Sequence, residues 1–343
     1  MNAYFRSKGL SKYANKSMIG KTVLMLVLFF APLIIINTGV VTSPLPLFLL
    51  YICCGFGMAG IGMDIMHDAN HGSYSKNRTV NRYLGYTMNL VGANTTVWKI
   101  QHNELHHTYT NIAEADDDLN APFFLRFSPH AKRYWVHRFQ FLYAWIFYCM
   151  ATLSWITTKD FVRIIRYRKM GFLHRKNEFR NEMAKLVLWK LFYYFYALVL
   201  PLLIVPLAPW IIILAFICMH LVTGFLISTI FQIAHIMPDT LFPLPDKNGT
   251  MEDDWFRHQL ATTTNFAPKS SIISWFIGGL NHQIEHHLLP GICHIHYQDL
   301  SGIVAETVKE FGMPYHIKKT FGAAIWDHIK MLQQLGKMRP KLR

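Results

Sequence analysis

Two long stretches of this chain contain no aspartate, glutamate, lysine or arginine: 42 positions between Lys21 and Asp64, and 48 between Lys190 and Asp239. A helix that crosses the hydrocarbon layer of a bilayer uses about 20 apolar residues, so each block is long enough to cross twice. Each also carries prolines near its middle, Pro44 and Pro46 in the first and Pro206 and Pro209 in the second, where a helix is expected to break. The reading is two helical hairpins, with spans at about 22–41 and 47–66, then 187–206 and 210–233. The first block is too long for the apolar core of a secretory signal and runs directly into a second span, so it is expected to stay in the mature protein.

The basic residues set the expected orientation, because cytoplasmic flanks retain Lys and Arg. Five precede the first span, none lies in the link inside either hairpin, and 67–185 and 236–343 hold nearly all the others. Both termini and both polar segments are therefore expected to face the cytoplasm. Residues 139–157 are apolar enough for a fifth span, but a crossing there would export the nine Lys and Arg between Lys159 and Lys185. That segment is read as interfacial or re-entrant, with Trp145 and Trp155 at the headgroup level. The fold class is thus all-α integral membrane: four transmembrane helices, interfacial helices and a cytoplasmic helical cap, in one domain over 1–343. A net charge of +14 fits a face beside anionic headgroups and calls for no nucleic acid. Cys53, Cys54, Cys149, Cys218 and Cys293 show no metal-type pairing and read as thiols.

Three histidine groups carry the chemistry: His67-Asp-Ala-Asn-His71, His102-Asn-Glu-Leu-His106-His107 and His282-Gln-Ile-Glu-His286-His287. With 18 histidines in 343 residues, one His-x-x-x-His-His pattern arises by chance in about 0.05 chains, so two of them point to selection for a site. On a helix, side chains four apart share a face at about 5–6 Å between Cβ atoms and can close on one cation, while a third at the next position points about 100° away. His235, at the cytoplasmic end of the fourth span, makes a ninth. Nine nitrogens exceed the four that close a zinc site and suit two metals with open positions. Imidazole alone does not choose among zinc, copper, iron and nickel, but open sites at an apolar boundary favour oxygen-activating iron. Asp68, Gln232, Asp116, Asp118 and Glu285 are candidates to orient the imidazoles from behind. His130, His137, His174, His258, His316 and His328 read as ordinary hydrogen-bonded histidines, and mid-span His220 as an interhelical hydrogen bond.

The ordered trio of boxes resembles the integral-membrane fatty acid desaturases. The stretch Gly278-Gly-Leu-Asn-His-Gln-Ile-Glu-His-His-Leu-Leu-Pro290, with the run His107-Thr-Tyr-Thr-Asn-Ile112, is similar to the front-end branch, which desaturates between an existing double bond and the carboxyl end. The similarity runs from about residue 45 to 320. It implies a di-iron (Fe²⁺) centre held by His67, His71, His102, His106, His107, His286 and His287, with His235 as the ligand from the fourth span and His282 or Gln283 opening the third box. It also implies dioxygen as co-substrate and a long-chain acyl substrate on coenzyme A or a lipid. Where some relatives have asparagine four residues before that fourth-span histidine, this chain has Phe231.

No motif supplies electrons. Gly55-Phe-Gly57-Met-Ala-Gly60 matches a dinucleotide fingerprint by letters but lies inside a span with no preceding strand, so helix packing accounts for it better. Neither a tightly bound nicotinamide nor a flavin is expected, nor is there the haem motif of a fused b-type cytochrome. A separate ferredoxin or b-type cytochrome, with its reductase, is implied. The nearest rival is a membrane di-iron hydroxylase; rivals of other classes are a haem-binding membrane electron carrier and a zinc-dependent membrane protein.

Overall fold

A computed structural model describes residues 1–339. Among the described residues the chain is mostly helical, and five helices are long and apolar enough to cross a membrane: α1 (Lys16–Asn37), α2 (Pro44–Asn70), α3 (Trp135–Lys169), α4 (Lys176–Ile204) and α5 (Pro209–His235). Four of them are the expected spans. The prolines act as anticipated: α1 stops at Asn37, Pro44 takes the first turn of α2, and Pro209 opens α5, positions where a missing N–H costs nothing. Asn15 starts α1 by accepting the Met18 N–H at 3.0 Å. The fifth is the segment read as interfacial or re-entrant. It forms one uninterrupted helical run that continues into the basic residues up to Lys169, because the charges that argued against a crossing are themselves good helix formers.

The chain divides into two compact units. The first comprises Ala14–Ile100 and Phe147–Ser228, and the second Met1–Tyr13, Gln101–Ile146 and the chain from Thr229 onward. In the first unit α1 and α2 form a close hairpin. A Cβ added at Gly57 would meet the Phe29 backbone nitrogen at 2.5 Å, and one at Gly60 would strike the Met25 side chain. A Cβ at Gly55 would lie 2.8 Å from the Met219 carbonyl of α5. The glycines thus serve helix packing, as expected, and no strand precedes them. Lys21 and Asp64, which bracket the first uncharged block, pair with each other at 3.0 Å, both buried. Lys190 likewise reaches Asp160 at 2.8 Å and the Gly92 and Trp155 carbonyls. His220 is hydrogen-bonded to Tyr193 Oη at 2.7 Å and faces Thr152 Oγ1 at 3.3 Å, the interhelical role expected of it.

The second unit is built from short helices: α6 (Trp255–Thr262), α7 (Gln283–Leu288), α8 (Tyr297–Glu310) and α9 (Phe321–Lys337). It departs from the all-α expectation by one small parallel sheet, β1 (Thr264–Phe266) on β2 (His316–Lys318). Three-residue strands leave too few alternations for a period-two pattern. The fully buried Arg126 donates to the carbonyls of Pro129, Ala131, Leu335 and Met338 and so caps the end of α9.

Candidate metal centre

The second box does not lie on an ordinary α-helix. Residues Ile100–His106 form a π-helical turn, in which backbone bonds run to the fifth residue. The widened turn changes which imidazoles meet. The fourth-neighbour rings of His102 and His106 stack at 5.3 Å, while the fifth neighbour brings His107 Nε2 to 3.2 Å from His102 Nε2. His107 thus turns toward His102 instead of pointing away, contrary to the α-helical expectation.

Two convergences follow inside the second unit. In one, ring nitrogens of His106, His235 and His287 lie within 4.8 Å of one another, all buried. Each ring is held from behind by an oxygen. His106 Nδ1 faces the Asp116 carboxylate at 3.1 and 3.2 Å, His235 Nδ1 donates to the Thr262 carbonyl at 3.2 Å, and His287 Nδ1 meets Gln259 Oε1 at 2.8 Å. With the proton fixed on Nδ1, the lone pair falls on Nε2. The Nε2 atoms of all three are buried with no hydrogen-bond partner among the described residues. Buried polar atoms are rarely left in that state, and three orphaned imidazole lone pairs, each backed by an oxygen, match the outer arrangement of metal-binding histidines.

In the other convergence, His107 Nε2 is 3.2 Å from His102 Nε2 and 3.0 Å from His286 Nε2. Two nitrogens about 2.1 Å from one ion and at right angles would be about 3.0 Å apart, so these spacings suit neighbouring ligands of one cation. His286 Nδ1 is 3.4 Å from the Tyr297 hydroxyl, and Phe231 packs edge-on to the His102 ring at 5.9 Å.

In the first unit, the helical pair His67 and His71 stands with ring centroids 4.8 Å apart, both rings edge-on to Trp98 at 5.6 and 5.8 Å. A π turn, Ile61–Ile65, precedes them. Asp68 is buried beside them, its carbonyl accepting from Ser73.

The remaining candidates separate by position. His282 precedes the first turn of α7 and joins none of the converging groups found among the described residues. Burial pushes its pKa down to about 4. Gln283 is buried in the first turn of α7. Glu285 Oε1 accepts from Tyr315 Oη at 2.6 Å and Oε2 from Asn265 Nδ2 at 2.8 Å; His282 Nδ1 lies 3.9 Å from Oε2. Asp118 Oδ2 lies 3.7 Å from His106 Nδ1 and Asp118 also accepts from Gln101. Gln232 is half-buried on α5, its carbonyl accepting from Ile236. His130, His137, His258 and His328 each bond a backbone carbonyl, the ordinary role expected of them.

Electrostatics act in opposite directions on two of the rings. Burial and the neighbouring imidazoles hold His287 well below its ordinary value of 6.5. Burial also works to lower His106, but Asp116 more than offsets it and raises that ring's pKa. Asn111 ties this corner together: it adopts φ +61°, which asparagine tolerates, its N–H reaches Asp116 Oδ2 at 2.9 Å, and its amide donates to the His235 carbonyl at 3.0 Å. Sequence reading missed Asn111, Gln259 and Thr262. The signal for Asn111 was an asparagine four residues past a box.

The model of the fatty acid desaturase family matches residues 42–319. The chain belongs to that family. It is 35% identical to the sn-1 linoleoyl-lipid 6-desaturase of Synechocystis sp., over 98% of this chain and 93% of that protein. It is 33% identical to the enzyme of the same name from Arthrospira platensis, over 98% and 90%, and 33% identical to the acyl-lipid (8-3)-desaturase of Physcomitrium patens, over 98% and 70%. The five apolar helices fit a multi-pass membrane enzyme, and the histidine groups of this desaturase are able to hold metal.

Proposed function

We propose that this desaturase introduces a double bond between an existing one and the carboxyl end of a long-chain acyl group carried on a membrane lipid, using two iron ions and dioxygen. The observation that carries the metal reading is the convergence of His106, His235 and His287, each Nδ1 held by an oxygen and each Nε2 orphaned. The acyl-lipid substrate and the carboxyl-side position rest on the names of the relatives and on the resemblance of the third-box stretch to the front-end branch. The proposed ligands are His67, His71, His102, His106, His107, His235, His286 and His287, with Gln283 or His282 completing the third box. The reading keeps one membrane desaturase domain, with four spans and both termini cytoplasmic. The positive charge at 159–185 is the support for counting four.

Bound iron would supply the oxidising power to break unactivated methylene C–H bonds. The balance fixes what else is needed: dioxygen takes four electrons and four protons to become two waters, the C–H pair provides two electrons and two protons, a ferredoxin or b-type cytochrome provides the other two electrons, and the solvent provides the other two protons. The chain's own residues hold and exclude. Asp116, Thr262 and Gln259 keep protons on Nδ1 so that Nε2 stays a donor, and burial of the cluster keeps bulk water away.

Expression in a host with a compatible reductase, with defined unsaturated fatty acids fed and double bonds mapped in total lipids by mass spectrometry, tests the reading. A new double bond on the carboxyl side, lost in His286→Ala, is expected. Hydroxylated product would replace desaturation by hydroxylation.

A further inference from the structure

Helix α6 is capped by Asp254, which accepts the Arg257 N–H at 3.0 Å. Its residues Trp255, His258, Gln259 and Thr262 recur at i, i+3, i+4 and i+7, the spacing of one helical face. That face carries polar groups where a core-facing stripe would be apolar, and every one is used. Trp255 Nε1 donates to the His107 carbonyl at 3.2 Å, Gln259 Nε2 donates to the same oxygen at 2.9 Å, and His258 Nε2 donates to the Thr110 carbonyl at 2.8 Å. The Thr262 carbonyl receives His235 Nδ1. These carbonyls need partners because the helix of the second box stops at Tyr109, which leaves its last C=O groups without intrahelical donors.

Gln259 does more than fill one of those gaps. An amide has one accepting and one donating end, and the His107 carbonyl can only accept, so Nε2 must face it. Oε1 is then forced toward His287 Nδ1, 2.8 Å away, and that nitrogen must carry the proton. The lone pair of His287 is thereby assigned to Nε2, the atom orphaned in the cluster. Thr110 Oγ1, 3.0 Å from the same amide oxygen and 2.7 Å from the His106 carbonyl, braces it. The order of dependence runs from a helix-end carbonyl through an amide to the tautomer of a ring. One side chain, 0% exposed, touches the backbone of a residue in one histidine convergence and a ring of the other.

We propose that Gln259 is a positioning residue whose amide oxygen fixes the tautomer and angle of His287, the bond from its Nε2 to the His107 carbonyl serving to choose which end of the amide faces that ring. This rests on the metal reading above. Outer-sphere partners of metal-bound histidines are typically worth about 10–100-fold in metal affinity. Two variants separate the two ends of the amide. Gln259→Met keeps length and burial but removes both ends. Gln259→Glu keeps an acceptor for His287 and removes the donor to His107.

The test is titration of the purified full-length protein and both variants with Co²⁺, following the visible bands of the bound ion, with far-ultraviolet circular dichroism as the check on folding. The proposal expects Gln259→Met to bind Co²⁺ about 10–100-fold more weakly with altered bands, and Gln259→Glu to bind at least as tightly as wild type. Wild-type binding in Gln259→Met, or equal weakening in both variants, overturns it, since the first removes the orienting role and the second reduces the residue to filler. If Gln259→Met does not fold, Gln259→Glu decides alone: retained affinity supports the proposal and lost affinity overturns it. A wild-type protein that takes up no Co²⁺ overturns the metal reading itself, a result distinct from any difference among variants.

Discussion

At the scale of single residues, the site depends on groups that never face the substrate. Asp116 is the clearest case. Its Oδ2 accepts the Asn111 N–H at 2.9 Å, its Oδ1 accepts the Asp118 N–H at 2.9 Å, and both oxygens face His106 Nδ1. Asp116→Asn would turn an NH2 group toward at least one of these donors, and it removes the charge behind the imidazole. Metal affinity is expected to fall at least 10-fold, measured by equilibrium titration, with the fold intact. His328 gives a prediction of another kind. Burial pushes its pKa down to about 4, although its Nδ1–H donates to the Ile236 carbonyl at 2.9 Å. A ring held neutral in the fold contributes stability that is complete above 6.5 and is lost as pH falls toward 4. Wild type should therefore lose more unfolding stability between pH 7 and pH 4.5 than His328→Gln; equal losses in chemical denaturation would remove His328 as the cause.

At the scale of elements, close approach and buried pairing hold the helices. Removing one partner from a buried ion pair typically costs about 3–5 kcal/mol, while replacing both with apolar groups is often neutral. Lys21→Met is thus expected to lower the unfolding temperature of the protein in detergent sharply, and Lys21→Met with Asp64→Leu to recover much of the loss. A Cβ at Gly224 would strike the Cys149 carbonyl and come within 2.8 Å of the Tyr148 carbonyl. Backbone cannot step aside as a side chain can, so Gly224→Ala is expected to cost about 1–3 kcal/mol in the same assay. Apolar length and proline placement made four of these helices legible, since both act locally. The π turn was not legible. Nothing in Ile100-Gln-His-Asn-Glu-Leu-His106 distinguishes a turn closed at the fifth residue from one closed at the fourth, and the difference redirected His107. In the third box, His282 has the spacing to His286 but stands just before the helix, which opens at Gln283.

At the scale of the whole molecule, the topology is the largest open prediction. With four crossings, an engineered cysteine at Val40 or Leu207 in a cysteine-free background should react with an impermeant maleimide from outside, and one at Arg180 only after the membrane is opened. Labelling of Arg180→Cys from outside would establish α3 as a fifth crossing. The charge distribution that supports four was readable without coordinates, as were the three boxes and His235. What was not readable, α6 with its polar stripe, lies some 150 residues from the second box in sequence. Its Trp-Phe-Arg-His-Gln-Leu-Ala-Thr composition resembles any half-exposed surface helix, because the partners that explain it are backbone carbonyls, which leave no trace in a sequence.

The paired histidines make the two convergences mechanically inseparable. His106 turns to His235 and His287, while its covalent neighbour His107 turns to His102 and His286, and the His107 ring also stacks on that of His287 at 4.4 Å. Consecutive Cα atoms are about 3.8 Å apart across a trans peptide, and the two doublets hold their rings at 5.7 and 5.4 Å. Two peptide units, from two segments of chain far apart in sequence, therefore act as a double ruler. Whatever ions these imidazoles hold, the spacing between them is written into covalent geometry and need not be set by the ions themselves.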